Sequence, residues 1–269
     1  MGSRQLVPMT GNLRVLISND DGIDSPGLAV LVGIARNITD DIWVVAPESE
    51  QSGAAHSLTL TKPLRLRQVG ERHYAVLGTP TDCVMLAVYH LMRRQKRPDL
   101  LLSGINLGGN LGEDVTYSGT VAAAIEGTLL GIRSIALSQV AQLDKDCEWP
   151  VRWETAEHYG PEVIDKLLAM EDWPDGVLMN VNFPDAVPDD VTKMAATMQG
   201  QRDTRDLTID ERIDPRGVPY YWIGFRTSPG FSGTNTDFDA VARGGISVTP
   251  LRVNMSDASV RERLCTALK

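Results

Sequence analysis

Four short, almost wholly apolar runs constrain this chain more than any other feature. They are Leu13 to Ser18 (LRVLIS), Asp41 to Ala46 (DIWVVA), Asp99 to Ser103 (DLLLS) and Arg133 to Ser138 (RSIALS). Runs this short and this apolar suit strands buried on both faces, as in a parallel sheet. Helical segments fall between them. Asp24, Ser25 and Pro26 signal a helix start, with the helix running towards Asn37. Pro80 to Arg94 reads as a second helix and Ser118 to Gly131 as a third, rich in small residues. Alternating strand and helix predicts an α/β fold: a mostly parallel sheet between two helical layers. Sites in such sheets lie beyond the C-terminal strand ends, and polar clusters follow Ser18, Ala46 and Ser103.

The pattern changes after Ser138. Glu154 to Met170 reads as a helix, Val177 to Asn182 as a strand, and Gly244 to Pro250 as another. Tyr220 to Phe225 (YYWIGF), after the turn Asp214-Pro215-Arg216-Gly217, reads as one arm of a hairpin. Asp257 to Leu268 reads as a terminal helix capped by Ser256. The organisation expected is an N-terminal extension over 1–12, of tag type with Met9 a candidate start, then an α/β catalytic core over 13–198. A hairpin and C-terminal oligomerisation segment over 199–269 returns one strand to the core.

Composition narrows the function. The 269 residues carry a net charge of −9 and no long basic run, which argues against a nucleic-acid groove. No apolar run is long enough to span a bilayer, and the N-terminus lacks a signal-peptide pattern. Cys83, Cys147 and Cys265 form neither a zinc pattern nor a disulfide framework, which suits a reducing cytoplasm. An acidic protein acting on an anion must supply positive charge locally, and a metal ion is one source.

The three polar clusters are the candidate chemistry. Asp20-Asp21 places two carboxylates side by side, which points to a nearby cation, and Gly22 permits a sharp turn. On the dipeptide alone, a helix-capping turn is the better reading. The second cluster offers Ser52 as a neutral oxygen ligand, and His56 as a general acid or phosphate contact; for His56 a simple hydrogen-bonded surface role is favoured. The third is a glycine-rich loop with Asn106 and Asn110, leading to Ser118, Gly119 and Thr120 at a helix start. It suits phosphate better than an ordinary turn with Ser118 as N-cap. The nucleophile-elbow, P-loop and dinucleotide glycine patterns are all missing. Trp149, Trp153 and YYWIGF read as packing or interface residues.

Taken together, LRVLISNDDGIDSPGL, VVAPESEQSGAAHSLTL, GTPTDCV and SGINLGGNLGEDVTYSGTVAAAIEG resemble the successive motifs of the SurE (survival protein E) family of 5′-nucleotidases. DPRGVPYYWIG, TDFDAV and ISVTPL extend the resemblance to about Met255. It implies a Rossmann-like three-layer α/β/α core and a metal-dependent phosphatase acting on nucleoside 5′-monophosphates, with 3′-nucleotides and short polyphosphate as further substrates. It also implies one divalent ion per subunit, Mg2+ or Mn2+, held by Asp20, Asp21, Ser52 and Asn106. Asn110, Ser118, Gly119 and Thr120 match the family's phosphate-side loop. A homodimer or homotetramer is implied, with YYWIGF and the final helix as candidate interface. Leu107 and Gly109 depart from residues common at those positions, and Val140 to Trp153 has no clear match. Either aspartate can serve as base, with Asp20 preferred. The competing readings are a metal-dependent nucleotide-sugar glycosyltransferase and a non-catalytic nucleotide-binding stress protein.

Overall fold

The structure, a computed structural model, describes residues 13–141, 151–202, 207–225 and 233–269. The stretch 1–12, read from sequence as an N-terminal extension, and Cys147 and Trp149 lie outside these residues.

The strands and helices alternate as the apolar runs predict. β1 (Val15–Ser18) leads to α1 (Pro26–Ala35) and β2 (Ile42–Pro47). β3 (Arg65–Gly70), β4 (His73–Leu77) and α2 (Pro80–Leu86) follow, and then β5 (Leu100–Leu107). α3 (Gly119–Leu129), β6 (Arg133–Gln139), α4 (Trp153–Leu168) and β7 (Val177–Phe183) complete the alternation. β8 (Met194–Ala196), β9 (Leu207–Ile213) and β10 (Pro219–Phe225) precede α5 (Asp237–Ala242), β11 (Ile246–Arg252) and α6 (Ala258–Ala267). The main sheet has nine strands in the order β3-β4-β2-β1-β5-β6-β7-β11-β8. Its centre, from β4 to β7, is parallel, while β3 pairs antiparallel with β4 and β11 antiparallel with β7.

Alternation along each strand feeds two cores. Val15 and Ile17 of β1 join Leu100 and Leu102 of β5 beneath α1 and α4. Leu16 and Leu101 face the other way, with Val84 of α2 and Val121 of α3. Every one of these side chains is at most 2% exposed, so the sheet is sealed on both faces by helices.

Local chemistry sets the helix starts. Pro26 takes the first helical position of α1, and the Ser25 hydroxyl accepts from the Leu28 amide. Thr79 and Asp82 form a reciprocal capping box on α2, again with proline at the first position. Two expectations need correction. The segment Pro80 to Arg94 is not one α-helix, because α2 gives way at Ala87 to a π-turn ending at Leu91. The terminal helix is capped by Asp257, which accepts from the Val260 amide at 2.9 Å, rather than by Ser256. A carboxylate at that position gains from the helix dipole as well as the hydrogen bond.

Chain order makes β1 and β5 a topological switch point. From β1 the chain steps through β2 towards β4, then returns through α2 to place β5 on the other flank of β1. β9 and β10 form a separate antiparallel ribbon, with Tyr221, Trp222 and Ile223 exposed.

Close packing of α1 on β5 depends on Gly27. A Cβ there would lie 1.9 Å from the Ile105 carbonyl oxygen, whereas one at Gly33 on the same helix would meet nothing within 4 Å. Gly27→Ala is expected to destabilise by about 3 kcal/mol, lowering Tm by roughly 6–10 °C. Gly33→Ala should be neutral or stabilising by up to about 1 kcal/mol. Thermal unfolding of both variants checks this; equal Tm values would refute the packing assignment.

Candidate functional site

β1 ends at Ser18, and the chain turns at once. The Asn19 side-chain amide donates to the Gly22 carbonyl at 2.9 Å and to the Ser25 hydroxyl at 2.8 Å. Gly22 takes φ +101°, a left-handed conformation that a side chain would strain. These bonds knit the turn to the cap of α1. Since Ser25 does the capping, Asp20 and Asp21 are not needed for it, and the plain helix-cap reading of the pair fails.

Asp20 is 4% exposed and packs against the N-terminus of α3. The Thr120 hydroxyl donates to its Oδ1. A Cβ at Gly119 would lie 2.7 Å from the Asp20 Cβ and 2.9 Å from Oδ2, so only glycine lets the helix come this close. The backbone amides of Gly119 and Thr120 also bond the carboxylate. Asp21 accepts the Leu107 amide at 3.2 Å through Oδ2. A register shift between β5 and β6, from Ser103 to Asn106, turns the end of β5 towards this pair. The Asn106 Oδ1 lies 3.3 Å from the Thr120 hydroxyl, so Asn106, Thr120 and Asp20 form one linked group.

The electrostatics of the pair are unfavourable as it stands. Burial raises the proton affinity of Asp20 above the usual aspartate range, with the hydrogen bonds at the start of α3 opposing. Burial, and then the charges of Asp20 and Glu50, push Asp21 up to about 7 against the Leu107 amide. The offsetting influences on both carboxylates are hydrogen bonds, not cations.

Ser52 is exposed, and its hydroxyl donates to Glu50 at 2.8 Å. The Gln51 amide bonds the Asp20 carbonyl at 2.8 Å, which holds the Ser52 loop beside the end of β1. Two carboxylates and an amide oxygen from Asn106 therefore gather at adjacent strand ends, with the Ser52 loop tied to the same turn. This all-oxygen set suits a hard divalent ion such as Mg2+ or Mn2+, and its uncompensated carboxylates fit one electrostatically.

The remaining candidates separate. Gly119 and Thr120 belong to the centre. The Ser118 hydroxyl caps α3 by accepting the Val121 amide at 3.0 Å. Asn110 is buried, and its side-chain amide donates to the Ser138 hydroxyl at 2.8 Å. His56 is paired with Glu126 at 3.0 Å, along α3 and beyond its first turn. Sequence reasoning missed Asn180 and Asn182 of β7, which donate to the Asn110 carbonyl at 2.8 and 3.2 Å. Asn182 also accepts the Asn110 amide. The signal was present, since two asparagines at period-two spacing interrupt an apolar strand, VLMNVNF. They fix the glycine-rich loop from beneath.

A stability test follows for ion-free protein. Raised above its unfolded value of 3.8 to about 7, the Asp21 carboxyl favours the fold below about pH 4, and that contribution is lost as pH rises through 7. Asp21→Asn removes the charge and keeps an acceptor for the Leu107 amide. In EDTA at pH 8 the variant should be the more stable by on the order of 1–2 kcal/mol, after discounting for partial exposure. The difference should vanish towards pH 4. A wild-type protein as stable as the variant at pH 8 would contradict the repulsive pairing.

The family described as "Survival protein SurE" matches residues 15–206. A protein of Methylorubrum extorquens named 5′-nucleotidase SurE is 51% identical over 96% of this chain and 100% of its own length. One of the same name from Paramagnetospirillum magneticum is 55% identical over 95% of this chain and 96% of its own. The crystal structure of the SurE protein from Aquifex aeolicus superposes with a TM-score of 0.82 at 37% identity, covering 95% of this chain and all of the other. The matched family region spans β1 through the whole Asp20-Asp21 centre, and the chain belongs to the SurE family.

Proposed function

We propose that this chain is a metal-dependent 5′-nucleotidase that hydrolyses nucleoside 5′-monophosphates to nucleoside and phosphate. The observation that carries the reading is the buried Asp20 carboxylate, seated in the Gly119 cradle at the start of α3 beside a second carboxylate that has no cationic partner among the described residues. Such a centre needs a cation, and a phosphate beside it would meet both that cation and a helix N-terminus. The names of the relatives support the nucleotide as substrate.

Asp20, Asp21, Asn106 and Ser52 would hold one divalent ion. When bound, it supplies charge neutralisation at a phosphate oxygen and a lower pKa for water. The protein's own groups do the rest. The Gly119 and Thr120 amides hold the Asp20 carboxylate, and the Gly109 amide of the glycine-rich loop is a backbone donor for the phosphate, suited to a reaction governed by positioning and charge. The Thr120 hydroxyl fixes Asp20, and the Leu107 amide fixes Asp21. A water oxygen bonds to phosphorus, the bond from phosphorus to the ester oxygen breaks, and the proton released by the water is passed on to the departing alkoxide. The sequence reading prefers Asp20 as the base. Exposure supports Asp21 instead, because Asp20 is sealed by Thr120 and Gly119 while Asp21 lines an open cavity. Assembly as a homodimer or homotetramer, and a cytoplasmic setting, belong to the same reading. No described helix is long and apolar enough to cross a membrane.

Phosphate release from AMP and GMP, with Mn2+ and with EDTA, tests the proposal. Activity should depend on the ion, and Asp20→Asn should lose on the order of a hundredfold or more in kcat. A variant with full activity and full ion affinity would refute the assignment. Sugar transfer without net phosphate release would favour a glycosyltransferase, and binding without turnover a non-catalytic nucleotide-binding protein.

A further inference from the structure

The cavity that Asp21 opens into has a lining of mixed character. Its volume is about 460 Å³, within the usual range for small-molecule clefts. Ile23, Val151, Trp153 and Leu107, the last 43% exposed, are its apolar members. The tip of the Trp153 ring system approaches α1 at Gly27, where a Cβ would lie 2.9 Å from its Cη2. Glu48, Ser49 and Glu50, with Asp24 at the turn after β1, are among its polar members. No lysine, arginine or histidine is among the described residues lining the cavity. Arg67 pairs with Glu48 through two contacts of 3.0 and 2.8 Å, but it is not part of the lining.

We infer that this cavity receives the leaving group of the substrate, and that its apolar and acidic lining selects a nucleoside over a polyanion. The inference rests on the proposed nucleotidase reading. With phosphate at the Asp20-Asp21 centre, the ester oxygen and what it carries extend into the space beside Asp21. A nucleobase has a flat apolar face, which suits Trp153 and Leu107. Ribose hydroxyls and base amino groups are donors, which suit the carboxylates of Glu48 and Glu50. A leaving group that is itself phosphate or diphosphate brings negative charge against Asp24, Glu48 and Glu50, with no basic side chain among the described lining residues to receive it. The geometry therefore opposes short polyphosphate as a substrate, although the family resemblance includes it. Trp153, read from sequence as a packing residue, becomes the specificity-determining residue for the base.

The test compares ratios of kcat/KM within each protein, using AMP, ribose 5-phosphate and tripolyphosphate with Mn2+. The wild type should prefer AMP to both. Trp153→Ala should reduce the preference for AMP over ribose 5-phosphate by roughly five- to a hundredfold, with Trp153→Phe restoring most of it. If the alanine variant does not fold, Trp153→Leu keeps apolar bulk without a flat ring and should lose the preference too. Glu48→Gln combined with Glu50→Gln should raise the tripolyphosphate-to-AMP ratio about tenfold. Unmoved ratios, or a wild type that takes tripolyphosphate as readily as AMP, would overturn the cleft assignment alone. A wild type inactive on both AMP and ribose 5-phosphate would instead overturn the nucleotidase reading beneath it.

Discussion

Two negative charges held side by side at the centre of the sheet are the constraint to which the surrounding structure answers. Asp20 is almost fully buried, and Asp21 sits next to it on the same turn. In a medium of low dielectric their repulsion is strong and burial adds to it. The fold meets this with groups that carry no net charge: the Thr120 hydroxyl, the first amides of α3 and the Leu107 amide. A helix N-terminus contributes about half a positive charge, which is too little for two carboxylates. The deficit is the ground on which a divalent ion, and through it an anionic substrate, is proposed for this centre.

Every close approach around the pair follows from this need. Gly119 has no Cβ, so α3 can lean onto Asp20. Ser25 takes over the capping of α1, and Asn19 ties that cap to the turn, which releases both aspartates from structural duty. Further out, Asn180 and Asn182 give their hydrogen bonds to the backbone of Asn110. Burying such amides is costly unless they are satisfied, so a strand that spends two of them on one loop residue fixes the loop's position closely. The loop in turn carries Asn106 and Leu107 to the aspartates.

The sheet was legible because its information is local and strong. VLIS, DLLLS and RSIALS bury both faces, and no helical period can be drawn through runs so short. The turn at Asp20-Asp21 and the cap at Ser118 were legible for the same reason. Other features depend on partners distant in sequence. Asp20 and Thr120 are 100 residues apart, and Asn110 and Asn182 are 72 apart. Nothing near Asn182 announces its partner, although its place in an apolar strand marks it as unusual. The π-turn after Leu86 was hidden because helical periodicity continues through Ala87 to Leu91 while the hydrogen-bond spacing changes. Ser256 lost the terminal cap to Asp257 by one position, a distinction that rests on backbone dihedrals rather than composition.

The same difference between local and distant information applies to Trp153. A tryptophan at a helix start reads as packing because most tryptophans pack, and part of this one does, against Gly27 and the first core. What sequence does not carry is the company it keeps: α4 brings it within one cavity of Leu107 from β5 and of Glu48 and Glu50 from the end of β2. Glu48 and Glu50 are exposed, so this lining is a surface and not core. On the proposed reading it suits a molecule that is flat and apolar on one side and rich in donors on the other. The centre at Asp20-Asp21 would then set which bond is broken, and the lining beside it what that bond can be attached to.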